Sequence, residues 1–435
     1  MICIYTYQHT PRITYIMDLL FREVLNVEYI TTNDINEFEK FQSAKINYSH
    51  KRIGNELLIE PVGLLAENGI EPQNIEVSDW NDTKIFFKTS GKADLPFDVF
   101  SASFYLVSRY EEYLPFEPDK HKRFRAESSL AYKNQFLEQP VINIWAEYLK
   151  QLISEKYPGY VISGRPYKYI STFDIDNVFS YKGKGFFRSA GGMLKALAGG
   201  DFQAIRKRIK VLSGRESDPF DHYVLHRRII EKKGIPVIYF LLFSKKTHFD
   251  GGVSPKSRAY KNLINTLKEY ADIGLHPSYY SFEDQELLCK QINDLGAVIN
   301  SPVNKSRQHF LRLAFPDTYQ HLLQAGIKED YSMGYASHLG FRAGICTPFY
   351  FYDLKSETPT FLKIYPFCIM DSVMFDYMKI KAEQALPYIN KIIDEVKNVN
   401  GTLITIWHDR TFSDTGIFQG WKNVFAETVK MACNK

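Results

Sequence analysis

The stretch YISTFDIDN, residues 169–177, ends an alternating apolar run with two carboxylates, Asp174 and Asp176. Side chains on a strand alternate with period two, so the two acids share one face while Phe173 and Ile175 take the other. Carboxylates converging on one point repel, and burial raises the cost, so a shared proton, a cation or basic partners must compensate. A divalent metal answers that demand: one Asp ligates, and its neighbour, off the metal, accepts a proton from water. The plain alternative is that the pair caps the next helix or sits in a salt-bridged loop.

Other reactive residues occupy matching positions. The segments YKYISTFDID, IPVIYFLLF, ADIGLHPS, LGAVINSPVN and GTLITIWHD read as apolar strands. His276 follows one of them, Arg307 and His309 lie in the loop after another, and His408 and Asp409 close the last. The carboxyl ends of parallel strands are the edge where α/β sheets and barrels assemble active sites. An imidazole beside a carboxylate suits zinc or another borderline metal. His276 with the Asp pair provides that combination, and His309, Ser278 and Tyr280 are open as a third ligand. His408, with its near-neutral titration, suits a general acid or is a rim histidine without a chemical role. Arg307 and Arg342 either orient a carboxylate or form surface ion pairs. His222 and His226 in HYVLH have chelating i, i+4 spacing, but without the HExxH glutamate they are set aside.

The elements that must position these residues fall into two regions. With 435 residues, 45% of them hydrophobic and 24% charged, the chain is expected to be a soluble globular protein of two domains, 1–163 and 164–435, divided near the Gly- and Pro-rich PGYVISGRP. The first reads as a small α/β domain containing the helix PVINIWAEYLKQLISEKY; its charge-dense SRYEEYLPFEPDKHKRFRAESS reads as a solvated loop. In the second, strands alternate with helices such as YKNLINTLKEYA and LPYINKIIDEVKNV, which implies a parallel sheet, open or closed into a barrel. Residues 181–215 interrupt that pattern with nine Lys or Arg against a single Asp: a solvated insertion, a membrane-surface helix or a flap over an anionic substrate. A net charge of +4 gives no general reason to expect nucleic acid. Five scattered cysteines argue against a disulfide framework and fit a cytoplasmic, reducing compartment, and no apolar run is long enough for a transmembrane segment.

The order TFDID, GLHPSYYS, SRQHFLRLAFP, GFRAG and LITIWHD resembles the NodB-homology polysaccharide deacetylases, over roughly residues 167–435, and within them a bacterial branch with an N-terminal accessory α/β domain. The resemblance implies a distorted (β/α) barrel that binds one divalent metal, zinc or else cobalt or nickel. It implies hydrolysis of an N-acetyl group from a sugar, polysaccharide precursor or oligosaccharide. By position, Asp174 matches the family's base, Asp176 its metal-ligating acid, His276 its first metal histidine, Arg307 the arginine that orients the base, and His408 the acid that protonates the departing amine. Asp330 stands loosely where the family has an acid that tunes that histidine. Three departures matter: Ile175 separates the usually adjacent acids, Tyr280 occupies the place of the second histidine, and SRQHF lacks the usual prolines. His309 is therefore expected to replace the missing ligand. Two further readings are a metal-free two-carboxylate glycoside hydrolase and a catalytically silent carbohydrate-binding or scaffold protein.

Overall fold

The computed structural model describes residues 1–184 and 186–434, so Gly185, within the basic 181–215 segment, lies outside the described residues. Residues 2–59 build a parallel sheet of β1 (Ile2–Thr6), β2 (Tyr29–Thr32), β3 (Lys45–Tyr48) and β4 (Leu57–Ile59), in the order β2-β1-β3-β4. A hairpin, β5 (Ser78–Trp80) and β6 (Thr83–Ile85), follows. The helix Val99–Val107, apolar but for Ser101 and Ser103, is buried along its whole length and capped by Asp98, whose Oδ1 accepts the N–H groups of Phe100 and Ser101 at 3.1 and 3.0 Å. Helix Val141–Lys156 buries Val141, Ile142, Trp145, Leu149 and Ile153 on one face, as its periodicity predicts.

The second sheet has nine strands. They are β7 (Lys168–Ile175), β8 (Val237–Leu242), β9 (Asp272–His276), β10 (Lys305–Ser306), β11 (Glu329–Asp330), β12 (Phe349–Asp353), β13 (Thr358–Ile364), β14 (Ile369–Met370) and β15 (Thr402–His408). Their order is β12-β13-β11-β10-β9-β8-β7-β15-β14, parallel throughout except for the β12–β13 pair. β13 and β14 are pieces of one run interrupted at residues 365–368; β13 pairs with β11 and β14 with β15, so this run completes the circuit from β11 back to β15. The result is a barrel-like α/β sheet distorted by two-residue strands. β7, β8 and β15 carry almost only buried side chains, as strands covered on both faces must.

Two segments differ from their sequence reading. LGAVINSPVN is not a strand: residues through Ile299 finish the helix Gln285–Ile299, capped by Asp284 and ended by Asn300 in the left-handed region at φ 56°. Leu288, Ile292, Leu295 and Ile299 keep helical spacing, and a short apolar run by itself does not distinguish the two periods. The charge-dense loop is solvated only in part: Glu117, Lys120, Lys122, Arg125 and Glu127 are exposed, but others are not. Arg109, Glu112, His121 and Arg123 are all buried.

A single apolar core runs from Ile2 to Ala432 across both sheets. The contact between them is close: Gly340, at φ 114°, lies so near the backbone of Leu137 that a Cβ would meet the Leu137 carbonyl oxygen at 2.3 Å. Phe341 N–H donates to that carbonyl at 2.8 Å, and Ile142 N–H donates to Gly344 O at 2.9 Å.

Candidate metal centre

The sheet register brings the reactive residues together. In the parallel β15–β7 pair His408 stands opposite Asp174; β9 ends on His276 opposite Leu242 of β8; and Ser306 of β10 pairs beside Leu275, which delivers Arg307 to the same edge. A pocket of about 360 Å³ opens there, lined among others by Asp174, Asp176, His276, His309, His408 and Arg410.

Asp176, His276 and His309 offer one ligand atom each, all within 4.8 Å of one another. Asp176 Oδ1 lies 3.5 Å from His276 Nε2 and 3.7 Å from His309 Nε2. Ligands about 2.1 Å from a tetrahedral ion stand about 3.4 Å apart, so the spacing fits one borderline divalent cation. The tautomers fit as well. His276 Nδ1 lies 2.6 Å from the Arg307 carbonyl, which can only accept, and His309 Nδ1 lies 2.9 Å from Asp250 Oδ1. Both rings therefore keep the Nδ1 proton and turn the Nε2 lone pair to the same point. Asp176 Oδ1 is buried there without a hydrogen-bond partner. Burial by itself would raise the Asp176 pKa, but the His276 ring and the charges of His309 and His408 outweigh it and hold the carboxyl far below its usual range. Burial disfavours charge on His276, whereas Asp174 and Asp176 favour it, and its pKa rises on balance. A cation would displace that proton.

Backbone strain accompanies the His309 loop, where Phe310 and Leu311 take φ of 59° and 54°. Arg123 braces it from the N-terminal region, its Nη1 donating to Phe310 O at 2.8 Å and its Nε to Asp119 Oδ2 at 2.7 Å.

Arg307 is fully buried and donates from Nη1 to Asp174 Oδ1 at 2.7 Å and from Nε to Tyr331 O at 2.9 Å, with its guanidinium 4.3 Å from the Phe240 ring centroid. These contacts fix Asp174 by one oxygen; the other, Oδ2, lies 4.0 Å from His276 Nε2.

Across the pocket, His408 Nδ1 bonds Asp371 Oδ1 at 2.6 Å, and the His408 N–H donates to Asp371 Oδ2 at 2.8 Å. Burial disfavours the charged ring, but Asp371 and, behind it, Asp176 and Asp174 push its pKa up to about 9. Asp371 moves the opposite way: burial raises it, and the His408 charge with bonds from His408 and Thr411 brings it below the usual range. Asp409, raised by burial and the Asp176 charge, accepts the Asn177 N–H at 2.5 Å and so holds the chain just after Asp176.

The acid beside His408 is thus Asp371, not Asp330. Asp330 sits at the end of β11 among Ser306 Oγ and Ser332 Oγ, each at 2.9 Å, and burial raises its pKa. Ser278 bonds Gln291, Tyr280 is exposed, and neither joins the cluster. Arg342 is buried against Glu112, away from the pocket. His226 stacks on Phe173 at 4.3 Å between ring centroids, on the face of β7 opposite the acids. Asp250, Asp371 and Arg123 escaped the sequence reading. Asp371 obeys the same positional rule as Asp174, following β14, but a two-residue strand leaves no periodic signal. Asp250 lies eight residues beyond β8 and carries none.

Residues 2–158 match a family model described as a family of unknown function (DUF7033). No curated protein matches the chain. Solved structures with a similar course include a putative polysaccharide deacetylase from Mycobacterium smegmatis, at 13% identity and TM-score 0.39, covering 63% of this chain and 87% of that one. A probable polysaccharide deacetylase from Pseudomonas aeruginosa PAO1 gives 10% identity and TM-score 0.38, with 60% and 84% covered. The Puue allantoinase gives 12% and 0.37, with 63% and 91% covered. These are similarities of course at low identity and say nothing of activity. A buried Asp-His-His cluster able to hold a divalent cation, at the carboxyl edge of a barrel-like sheet, is consistent with a metal-dependent hydrolase.

Proposed function

We propose that the protein is a metal-dependent carbohydrate N-deacetylase, with zinc, or cobalt or nickel, held by Asp176, His276 and His309. The observation that carries the reading is the pair of imidazoles whose Nδ1 atoms are tied to the Arg307 carbonyl and Asp250 while both Nε2 atoms face the unpartnered Asp176 Oδ1. When bound, the cation supplies polarisation of the acetamide carbonyl and a lowered pKa for water. Asp174, held through Oδ1 by Arg307, has Oδ2 free to take the proton as water adds to the carbonyl carbon. His408, tied at Nδ1 by Asp371, whose charge favours the protonated ring, gives its Nε2 proton to the amine nitrogen as the C–N bond breaks. Acetate and a free amino sugar leave. Asp330, buried among serines, positions the β10–β11 edge behind Arg307 in this reading and takes no proton.

The substrate in this reading is an N-acetylated sugar met in the cytoplasm, as a nucleotide- or lipid-linked precursor of surface polysaccharide; five unpaired cysteines fit that compartment. The test is to strip the purified chain with chelator, reload it with each metal, and follow acetate and free amine released from N-acetylated oligosaccharides. Equal release of both, lost on chelation, is expected. New reducing ends without acetate would indicate a glycoside hydrolase instead, and failure to retain any metal would indicate a silent carbohydrate-binding protein.

A further inference from the structure

Between β7 and β8 the chain makes the basic excursion 181–215. Its helices, Phe186–Ala198 and Phe202–Leu212, pack on each other: Arg208 Nη1 donates to Ser189 O at 2.8 Å, and its guanidinium lies 5.0 Å from the Tyr181 ring centroid. The base of the excursion is fastened. Buried Asp218 accepts the N–H groups of Ser180, Tyr181 and Lys182 at 2.7, 2.8 and 3.0 Å. The pair of helices therefore springs from a defined place, on the edge of the sheet that carries Asp174 and Asp176.

Phe202, Ile205, Ile209 and Leu212 recur at i, i+3, i+7 and i+10, the spacing of one apolar stripe. A stripe of that kind normally faces a core. Here Phe202 is 67% exposed, Ile209 49% and Leu212 46%, and on the preceding helix Leu194 and Leu197 are 67% and 55% exposed. Around them stand Lys195, Arg206, Lys207, Lys210 and Arg215, within a segment that has nine basic residues and only Asp201 as an acid. The whole chain carries a net +4, so outside this excursion acids outnumber bases.

We propose that this helical pair is a docking surface for an anionic lipid bilayer. The apolar stripe enters the boundary between headgroups and acyl chains, and the surrounding cations meet lipid phosphates. Charge complementarity selects this occupant. A second copy of the chain on a two-fold axis would set two strongly basic faces against each other. A nucleic acid would satisfy the cations and leave the stripe in water. The attachment is peripheral, because no helix among the described residues is long and apolar enough to cross a membrane.

The test is flotation of the full-length protein with vesicles of phosphatidylcholine alone and of phosphatidylcholine mixed with phosphatidylglycerol. Binding to the mixed vesicles only, weakened by salt, is expected. Phe202→Ser with Leu212→Ser, and separately Arg206→Glu with Lys207→Glu, should each lower partitioning by roughly tenfold or more. Both side-chain sets are surface-exposed or half-exposed, so the melting temperature should stay unchanged; should a double variant misfold, the single Phe202→Ser exchange and the wild-type salt dependence decide. Wild-type protein that stays unbound to both vesicle types overturns the proposal, as does binding that survives both variants. A salt-stable dimer dissolved by Phe202→Ser, or oligonucleotide binding indifferent to that exchange, with no vesicle binding, overturns it in favour of the other occupants.

Discussion

Two buried charge clusters in this molecule are built to opposite rules. In the first, Glu112 is held by Arg109 Nε at 2.8 Å and by Arg342 in bidentate fashion, Nε donating to Oε1 at 2.9 Å and Nη2 to Oε2; Arg109 continues to Glu111 at 2.8 Å and Tyr335 at 3.2 Å. Every carboxylate oxygen of Glu112 has a donor. In the second, Asp174 is half-held by Arg307, and Asp176 Oδ1 has no donor at all, although two imidazoles stand beside it. The first cluster is complete as protein and joins the N-terminal region to the barrel-like sheet. The second leaves Asp176 Oδ1 without a protein donor opposite two imidazole Nε2 atoms, an arrangement suited to a bound cation and unlike the self-satisfied first cluster.

The largest expected effect breaks the second cluster. Asp176→Ala should abolish stoichiometric metal and cut kcat/KM on the order of 10⁴-fold, equivalent to several kcal/mol of lost charge stabilisation. Metal analysis beside steady-state kinetics checks it. Glu112→Gln does the reverse: it leaves the buried Arg342 guanidinium without a carboxylate partner, while Arg109 keeps Glu111, and costs about 3–5 kcal/mol in denaturant unfolding with metal content unchanged. His408→Asn should lower turnover about 10²- to 10³-fold while substrate binding changes little, which separates proton donation from affinity. Asp250→Asn loosens the His309 ring and should weaken metal affinity by about 10- to 100-fold, read by competition with a chelating dye.

The smallest effect is in pH. The His408 pKa is raised to about 9 by Asp371, so a donor role gives a rate that falls as pH rises through that region or below it, since a bound cation repels the ring's proton. For the metal-free protein the sign is the same. A pKa raised on folding stabilises fully below the unfolded value near 6.5, and that contribution is lost as pH climbs towards about 9. A melting temperature of metal-free protein that stays level through this window would remove the Asp371–His408 pair as its source.

Legibility followed signal length. β7, β15 and the helix Val141–Lys156 are long enough to show their period, and the acids and histidine at the strand ends came with them. β10, β11 and β14 have two residues each and no period, which hid Asp371; Asp330 came only from the family resemblance, and in the structure it is not the acid at His408. The helix ending at Ile299 was misread because the five-residue run LGAVI suits either period. Charge density misled for another reason: the 108–129 segment pairs its charges with distant partners, such as Arg342 and Phe310 O, and those partners cannot be inferred from neighbours in sequence.

By itself the sequence determined which residue types stand at the ends of which strands, because alternation and turn chemistry are local. That was enough to name Asp174, Asp176, His276, Arg307, His309 and His408 as members of one edge. Only the tertiary structure decided which nitrogen of each ring faces the shared point, which acid holds His408, and that an arginine from the N-terminal region braces the His309 loop. Those outcomes depend on hydrogen bonds between residues that are far apart in the chain, and such pairings exist only after the sheet has closed.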